Sequence, residues 1–373
     1  MQCNTCQESF HEECTGAKKD DNYTCAPCNL SQTHGGAVWS EKKASNPKDY
    51  IDNTCPIDGS LTGAAIHGMA QNPLLRSQFP KDREHQALTN AMNELRKNNS
   101  HAAQTEMYNL YRTKQQEVKT KPEYRDYSKK IKDINKKNQE IEKKNLKKSA
   151  DKQTPLLALP DPIDLPYPEM DLEQKDIYGE PRQLWPETLR AGCTFEAEVE
   201  CTKCDIKNTE YGNISTPSVE YFHMQPDDSP SLAIGKSVYG SEYKCPKPNC
   251  DGTVTQGPLQ QPKNLENWML HLDLQSMPED KKKELKDEVF TNQFPKEMKV
   301  GDATYQFSHM TLLQEGHFTS LHYDPQSKQL AYYDGKACKR PQATCFRKAA
   351  RSDLQNKTPV AAEYYIMPKS NQK

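Results

Sequence analysis

The sequence predicts an α+β protein in which a mainly helical first half is followed by a half of short strands. Apolar residues recur at helical spacing from Ile57 to Leu95. From Cys193 onward the pattern changes to short segments that alternate with period two, most clearly over 194–200. Most cysteines form close pairs with the spacing of zinc ligands, which predicts small modules held by structural zinc.

The composition limits the class of protein. The 373 residues are 34% hydrophobic and 27% charged, with a net charge of −2 and 13 cysteines. No apolar run reaches the roughly 18 residues that a membrane helix needs, so we expect no membrane partner. The N-terminus carries charges and cysteines in place of a signal peptide's apolar core, and the cysteines pair as metal ligands. We therefore expect a reducing compartment, the nucleus or alternatively the cytoplasm.

Residues 1–30 have the pattern of a zinc module, and a linker poor in periodicity follows over 31–48. Two Cys-x2-Cys pairs bracket a Cys/His pair, and the two-residue gap lets paired thiolates reach one ion. The run 1–16 resembles the second half of a PHD finger, and 23–28 resembles its last knuckle. The resemblance implies one complete zinc site, half of another, and histone tails as a candidate partner. The candidate ligands are Cys3, Cys6, His11, Cys14, Cys25 and Cys28.

A helix is predicted to begin at Cys55 and to run to about Gln71. Pro56 suits the first helical position, where its missing N–H is not needed. A thiol at a helix N-terminus faces unpaired N–H groups and the positive end of the dipole, which favour the thiolate. Cys55 is therefore a candidate nucleophile, and the alternative is a small buried hydrophobic residue.

Residues 112–170 are predicted to be an insertion made of a charged helix and a proline-rich connector. From Arg112 to Lys152 there are fifteen Lys/Arg and seven Asp/Glu, a net charge of +8, and five prolines follow in 153–170. A long solvated surface helix is the simpler interpretation. A phosphate-binding or nuclear-import stretch is the alternative. No aromatic residues interleave with the lysines in a way that suggests base stacking, so we do not expect direct nucleic-acid binding.

A second set of cysteines predicts a zinc-bearing finger region over 193–255. Two knuckles, with gaps of two and four residues, would place four thiolates around one ion. With every position filled by cysteine there is no open site for water, so this zinc would be structural. Scattered buried thiols are the alternative. The candidate ligands are Cys201, Cys204, Cys245 and Cys250.

The strands after the fingers carry the remaining chemistry. We predict strands over 268–272, 304–310, 316–323, 330–335 and 364–367, with a charged insertion at 281–288. A thiol protease needs a thiolate, an imidazole and a group that orients the imidazole. His317 on one strand and Asp334 one hairpin away are the candidates to act with Cys55, although a lone strand histidine is more often structural.

Two motifs resemble those of the ubiquitin-specific proteases. Asn53-Thr54-Cys55 with Ser60-Leu61, followed by 72–76, is similar to the family's cysteine box. Tyr305 and His309, then Gly316-His317-Phe318 and Tyr332-Tyr333-Asp334, are similar to its histidine box. The order of cysteine, zinc-bearing fingers, histidine and acid is also similar. The resemblance implies a catalytic domain over 49–370 with a papain-like thumb and palm and zinc-bearing β-fingers. It also implies hydrolysis of the isopeptide bond after the C-terminal glycine of ubiquitin or a ubiquitin-like modifier.

One departure from the family pattern concerns the oxyanion donor. The family usually has an asparagine five residues before the cysteine, where this chain has Tyr50. Asn53 is the remaining side-chain candidate, beside the backbone N–H groups at the helix start. Two interpretations follow from the resemblance: a cysteine deubiquitinase associated with chromatin, and a catalytically weak or inactive scaffold that binds ubiquitin and chromatin. A third interpretation, a zinc protein that binds nucleic acid, is supported by the lysine-rich stretch alone.

Overall fold

The fold is described from a computed structural model of the chain. The structure describes residues 51, 54–69, 83–97, 99–146, 153–161, 163, 195–204, 213–214, 227–261, 267–291, 293–334 and 346–367. The zinc module predicted over 1–30, with its six ligands from Cys3 to Cys28, lies outside these residues. The linker 31–48 also lies outside the described residues, as do Tyr50 and Asn53, the two positions considered for the oxyanion donor.

Four helices make up the first half of the described chain. They are α1 (Cys55–Ile66), α2 (Arg83–Arg96), α3 (Ser100–Lys119) and α4 (Pro122–Asn145). Helix α1 begins at the predicted residue but ends earlier than Gln71, because Gly68 takes a left-handed conformation (φ 67°) just beyond it. The predicted charged helix is interrupted before Pro122, whose ring cannot continue α3 and instead begins α4. No helix in the described ranges is both long enough and apolar enough to cross a membrane.

Helices α2 and α3 pack beside α1, whereas α4 stands away from the core. Helix α2 buries an apolar face that includes Leu88, Met92 and Leu95. Helix α4 has no buried residue, as expected for a solvated surface helix. Its Asn138 side chain exchanges two hydrogen bonds with the backbone of Leu157 (2.7 and 3.0 Å), which holds the proline-containing segment along the helix.

The finger region consists of short strands and one helix. They are β1 (Phe195–Glu196), β2 (Val199–Cys201), β3 (Asn213–Ile214), α5 (Pro230–Tyr239), β4 (Ser241–Lys244) and β5 (Thr253–Gln256). Strand β1 pairs with β3, and β2, β5 and β4 form a three-stranded sheet in that order. The strand predicted over 194–200 is divided because its partner changes: Glu196 exchanges two backbone hydrogen bonds with Gln260, whereas β2 pairs with β5.

A seven-stranded antiparallel sheet forms the second half. Its elements are β6 (Met269–Asp273), α6 (Glu279–Phe290), β7 (Glu297–Val300), β8 (Ala303–Gln314), β9 (His317–Asp324), β10 (Gln329–Tyr333), β11 (Phe346–Lys348), α7 (Ser352–Gln355) and β12 (Thr358–Ile366). The order is β11-β10-β9-β8-β12-β6, and β7 also pairs with β8. The predicted strands are all present, and the charged insertion is helix α6. Helices α1 to α5 thus precede the antiparallel sheet, and α6 and α7 are inserted between its strands, which is an α+β arrangement.

Helix α1 lies directly on the face of this sheet. Two of its glycines make the close approach possible: a Cβ at Gly59 would lie 3.1 Å from Ser320 Oγ, and one at Gly63 would lie 2.5 Å from His309 Nδ1. Every described side chain of α1 from Cys55 to Ala65 is buried. The helix is therefore a central element, covered by the sheet on one side and by other helices on the other, and its N-terminus is fixed relative to β8 and β9.

Candidate active site and metal centre

Cys55 is the first residue of α1. Its side chain is 6% exposed and packs with Phe318, Val360 and Leu313, which belong to β9, β12 and β8. The backbone N–H groups of Ile57 and Asp58 bond to Thr54 O, both at 3.0 Å, so the helix starts immediately before the cysteine. The thiol consequently lies at the positive end of the helix dipole, at one end of the central strands.

His317 is placed by a tight hairpin. The two residues between β8 and β9, Glu315 and Gly316, both have positive φ (48° and 75°), as a two-residue type I′ turn requires. The turn makes His317 the first residue of β9, paired with Gln314 and adjacent to Phe318, which contacts Cys55. The structure therefore brings the candidate histidine to the end of the sheet where the candidate nucleophile lies.

Asp334 follows the last residue of β10 and reaches the imidazole. Its Oδ1 lies 2.8 Å from His317 Nε2, and both side chains are about one-fifth exposed (17% and 21%). A carboxylate only accepts hydrogen bonds, so Nε2 carries the proton in the neutral imidazole and Nδ1 carries the lone pair. The Nδ1 atom is buried and has no hydrogen-bond partner among the described residues. The imidazole is thus in the tautomer that accepts a proton at Nδ1.

A buried polar cluster that the sequence did not reveal fastens the first turn of α1. Asp58 is 1% exposed; Thr54 Oγ1 donates to its Oδ2 at 2.7 Å, and Gln104 Nε2 of α3 lies 3.0 Å from its Oδ1. Burial raises the pKa of Asp58 to about 7, against the smaller lowering effect of these two hydrogen bonds. The pKa of Tyr333, the residue before Asp334, is also raised well above its ordinary value. Burial is the main cause, and the charge of Asp58 adds to it.

A row of ionisable side chains crosses the sheet beneath α1. Glu363 is the register partner of both His271 and His309, and His309 is the partner of His322. The Glu363 carboxylate accepts from Ser60 Oγ of α1 at 3.3 Å and lies 3.3 Å from His271 Nδ1. Burial lowers the pKa of His309 and lowers that of His322 further, so both imidazoles are neutral at pH 7. The row comes from four strands, β6, β12, β8 and β9, of which only β8 and β9 form a hairpin, which explains why no local pattern predicted it.

The four cysteines of the finger region come together. Their sulfurs lie within 4.8 Å of one another, with 3.7 Å between Cys201 and Cys250 and 3.6 Å between Cys204 and Cys245. Four sulfurs placed tetrahedrally at 2.3 Å from a zinc ion would lie about 3.8 Å apart, so the cluster has the dimensions of a four-thiolate site. This cluster can hold a zinc ion of structural type.

The backbone around the cluster fits the same function. Backbone N–H groups, first that of Lys203, lower the pKa of Cys201 to about 6, which favours its thiolate, whereas burial raises the pKa of Cys245 to about 12. A Cβ at Gly252 would lie 2.7 Å from the sulfur of Cys201, so glycine is needed there. The knuckle with the longer gap closes through a hydrogen bond from Cys250 N to Lys247 O and through a left-handed Asn249 (φ 64°).

Comparisons with known proteins find similarity among solved structures alone, and that similarity is low. No protein-family model matches the chain, and no curated protein matches it by sequence. A Saccharomyces cerevisiae Pan2 pseudoubiquitin hydrolase–RNA exonuclease module in complex with AAGGAA RNA is similar at a TM-score of 0.42 and 11% identity, covering 85% of this chain and 52% of that one. The chain thus spans about half the length of the Pan2 module.

A second group of similar structures contains Ubp8. The SAGA DUB module of Ubp8, Sgf11, Sus1 and Sgf73 bound to monoubiquitin has a TM-score of 0.38 and 12% identity, covering 84% of this chain and 67% of that one. The same module bound to ubiquitin aldehyde has the same TM-score and identity and is covered to 68%. These structural neighbours are therefore a pseudoubiquitin hydrolase module and a DUB module, both at low sequence identity.

Proposed function

We propose that this chain is a thiol-dependent deubiquitinase that hydrolyses the isopeptide bond after the C-terminal glycine of ubiquitin or a ubiquitin-like modifier. The observation that carries the proposal is the 2.8 Å contact of His317 with Asp334, with Nδ1 left buried and unpartnered among the described residues beside the Cys55 helix. Support for ubiquitin as substrate comes from the order of the motifs around these residues.

The proposed mechanism gives each side chain a role. Asp334 accepts the Nε2–H bond and holds the ring, so that His317 Nδ1 takes the proton of the Cys55 thiol. The thiolate attacks the glycine carbonyl carbon, and the same Nδ1–H then protonates the departing lysine amine, leaving a thioester on Cys55. Water, deprotonated by His317, adds to the thioester and releases the free carboxylate and the thiol. Asn53 and the backbone at the start of α1 are the proposed oxyanion donors.

A ubiquitin C-terminal electrophile probe tests this function directly. The unchanged chain should form a covalent adduct under reducing conditions, whereas Cys55→Ala should form none. His317→Ala and Asp334→Asn should react more slowly, by about 10²-fold or more for the histidine. His101→Ala changes an exposed histidine of α3 and is the matched control, expected to react as the unchanged chain does. Absence of an adduct in the folded, unchanged chain would reject the proposal.

A second candidate function is favoured by Tyr50, which stands where the related proteases have an oxyanion donor. Loss of one such donor costs about 10²–10³ in rate, so the chain would then act as a weak enzyme or as a ubiquitin-binding scaffold. The scaffold predicts ubiquitin binding that persists in Cys55→Ala and no hydrolysis by either form. Single-turnover hydrolysis by the unchanged chain, absent in Cys55→Ala, would exclude it.

The remaining proposals rest on the sequence. We propose that residues 1–30 form a partial PHD-like module, that it binds histone tails, and that the protein acts on chromatin in the nucleus. Binding of the full chain to a histone H3 tail peptide, compared with Cys25→Ser, tests the partner. Microscopy of the tagged chain tests the location. A chain that stays in the cytoplasm would contradict the nuclear proposal.

A further inference from the structure

A carboxyl group without a counter-ion lies one helical turn from the candidate nucleophile. Asp58 is three residues after Cys55, a spacing that brings side chains of one helix to about 5–6 Å from each other. Its hydrogen bonds go to the neutral side chains of Thr54 and Gln104, and it has no ion pair within the described part of the chain. Tyr333 on β10 is a titratable neighbour of both Asp58 and Cys55: burial raises the pKa of its phenol, and the charges of those two groups each contribute to the shift.

One buried acceptor in this cluster can take a hydrogen bond from a neutral carboxyl group. Gln104 Oε1 is buried and has no hydrogen-bond partner among the described residues. The two ends of an amide differ only in assignment, so a half-turn of the Gln104 amide puts its oxygen about where Nε2 now lies, 3.0 Å from Asp58 Oδ1. A protonated Asp58 then donates to Gln104 through Oδ1 and still accepts from Thr54 through Oδ2.

The charge state of Asp58 matters for the thiol. A deprotonated Asp58 would place a negative charge beside the Cys55 thiolate in a buried region, where like charges disfavour each other more strongly than in water. A neutral Asp58 keeps the link between α1 and α3 without that repulsion. Burial raises the pKa of this carboxyl to about 7 and outweighs the opposing effect of the hydrogen bonds from Gln104 and Thr54.

We propose that Asp58 is a positioning residue that serves the site in its protonated form: it ties the first turn of α1 to α3, and its ionisation suppresses the Cys55 thiolate. The consequence for catalysis rests on the proposed deubiquitinase function, but the effect on the thiol does not. The site would then be regulated by pH on its alkaline side, through a group that touches neither substrate nor the imidazole.

Alkylation of Cys55 by iodoacetamide measures the thiolate without ubiquitin. The full chain is alkylated from pH 5.5 to 9, and the rate at Cys55 is read by mass spectrometry of its peptide. Asp58→Asn keeps a neutral side chain of the same shape, so we expect its alkylation midpoint about one to two pH units below that of the unchanged chain. Asp126→Asn, which changes an exposed aspartate of α4, should leave the midpoint unchanged. Equal midpoints for Asp58→Asn and the unchanged chain would overturn the proposal.

A second measurement needs no variant. In the unchanged chain labelled with ¹³C at the aspartate carboxyl groups, one signal should titrate near neutral pH while the others titrate at ordinary values. If every aspartate signal titrates below about pH 5, the proposal is wrong. The ubiquitin probe separates the two proposals. A normal Asp58-dependent alkylation profile with no probe adduct would reject the deubiquitinase alone, whereas a probe adduct with identical profiles would reject the role of Asp58 alone.

Discussion

The buried Asp58 also has a stability consequence that is independent of catalysis. Its pKa is about 7 in the folded chain against 3.8 for the free side chain, a difference of about three units. One unit corresponds to about 1.4 kcal/mol, so this group lowers the free energy of unfolding by about 4 kcal/mol once both states have ionised. The effect is absent below pH 4, where both states hold the proton. It grows between pH 4 and 7, where only the unfolded chain releases it, and is constant above pH 7.

Asp58→Asn removes this pH dependence because asparagine does not ionise. The variant and the unchanged chain are unfolded in urea at pH 5 and at pH 8. The difference in free energy of unfolding, variant minus unchanged chain, should be about 3 kcal/mol larger at pH 8 than at pH 5. The comparison between pH values cancels the fixed cost of replacing a hydroxyl by an amide beside Gln104. Asp126→Asn should show no such change. The same stability difference at both pH values for Asp58→Asn would mean that Asp58 is ionised throughout, and the reasoning would fail.

Three further predictions concern packing, metal and the surface helix. Gly63→Ala should lower the free energy of unfolding by about 1–3 kcal/mol in urea titrations, because its Cβ would lie 2.5 Å from His309 Nδ1. The control Gly235→Ala, in the open interior of α5, should raise the free energy of unfolding, and equal effects of the two substitutions would contradict close packing at Gly63. Purified Cys201→Ser should contain one zinc ion fewer per chain than the unchanged protein, as measured by elemental analysis, and should melt at a lower temperature; equal zinc content would exclude the cluster as a metal site. Asn138→Ala removes both hydrogen bonds to Leu157, so amide exchange over 153–161 should accelerate without change in the central sheet; unchanged exchange would show that other contacts hold the segment.

The sequence predicted which helices and strands are present better than it predicted the residues at which they begin and end. Alternation and turn residues predicted β6, β8, β9, β10 and β12, since antiparallel strands leave local patterns, whereas β7 and β11 were not predicted. The end of α1 was wrong because the left-handed Gly68 gives a weaker signal in the sequence than the proline at 73. The division of 194–200 into two strands could not be predicted, because it depends on partners at Gln260 and on β5 that are about 55–65 residues away.

For the site, the sequence predicted the cysteine cluster and the spacing from His317 to Asp334, and the structure brings each set together. It did not predict the environment of the nucleophile helix. An apolar stripe suggested a helix with one buried face, whereas α1 is buried on every described side, including Asp58, Ser60 and Thr62. Polar residues on the other faces of a central helix are indistinguishable in sequence from solvated ones. Their partners, Gln104 and Glu363, lie in distant elements.

These polar contacts explain how Cys55 is held opposite the sheet. An interface of methyl groups alone tolerates sliding, because apolar contacts have no direction. Here Ser60 of α1 donates to the buried Glu363 at 3.3 Å, and Glu363 in turn accepts from Tyr365 at 2.8 Å. A shift of α1 by one residue would remove the serine from the carboxylate and would drive a larger side chain into the space at Gly63, where a Cβ already meets His309. Both costs arise together, so the helix has one favourable position on β8 and β9. The distance from the thiol to the imidazole is therefore set by the polar row beneath the helix as well as by the apolar cluster around Cys55.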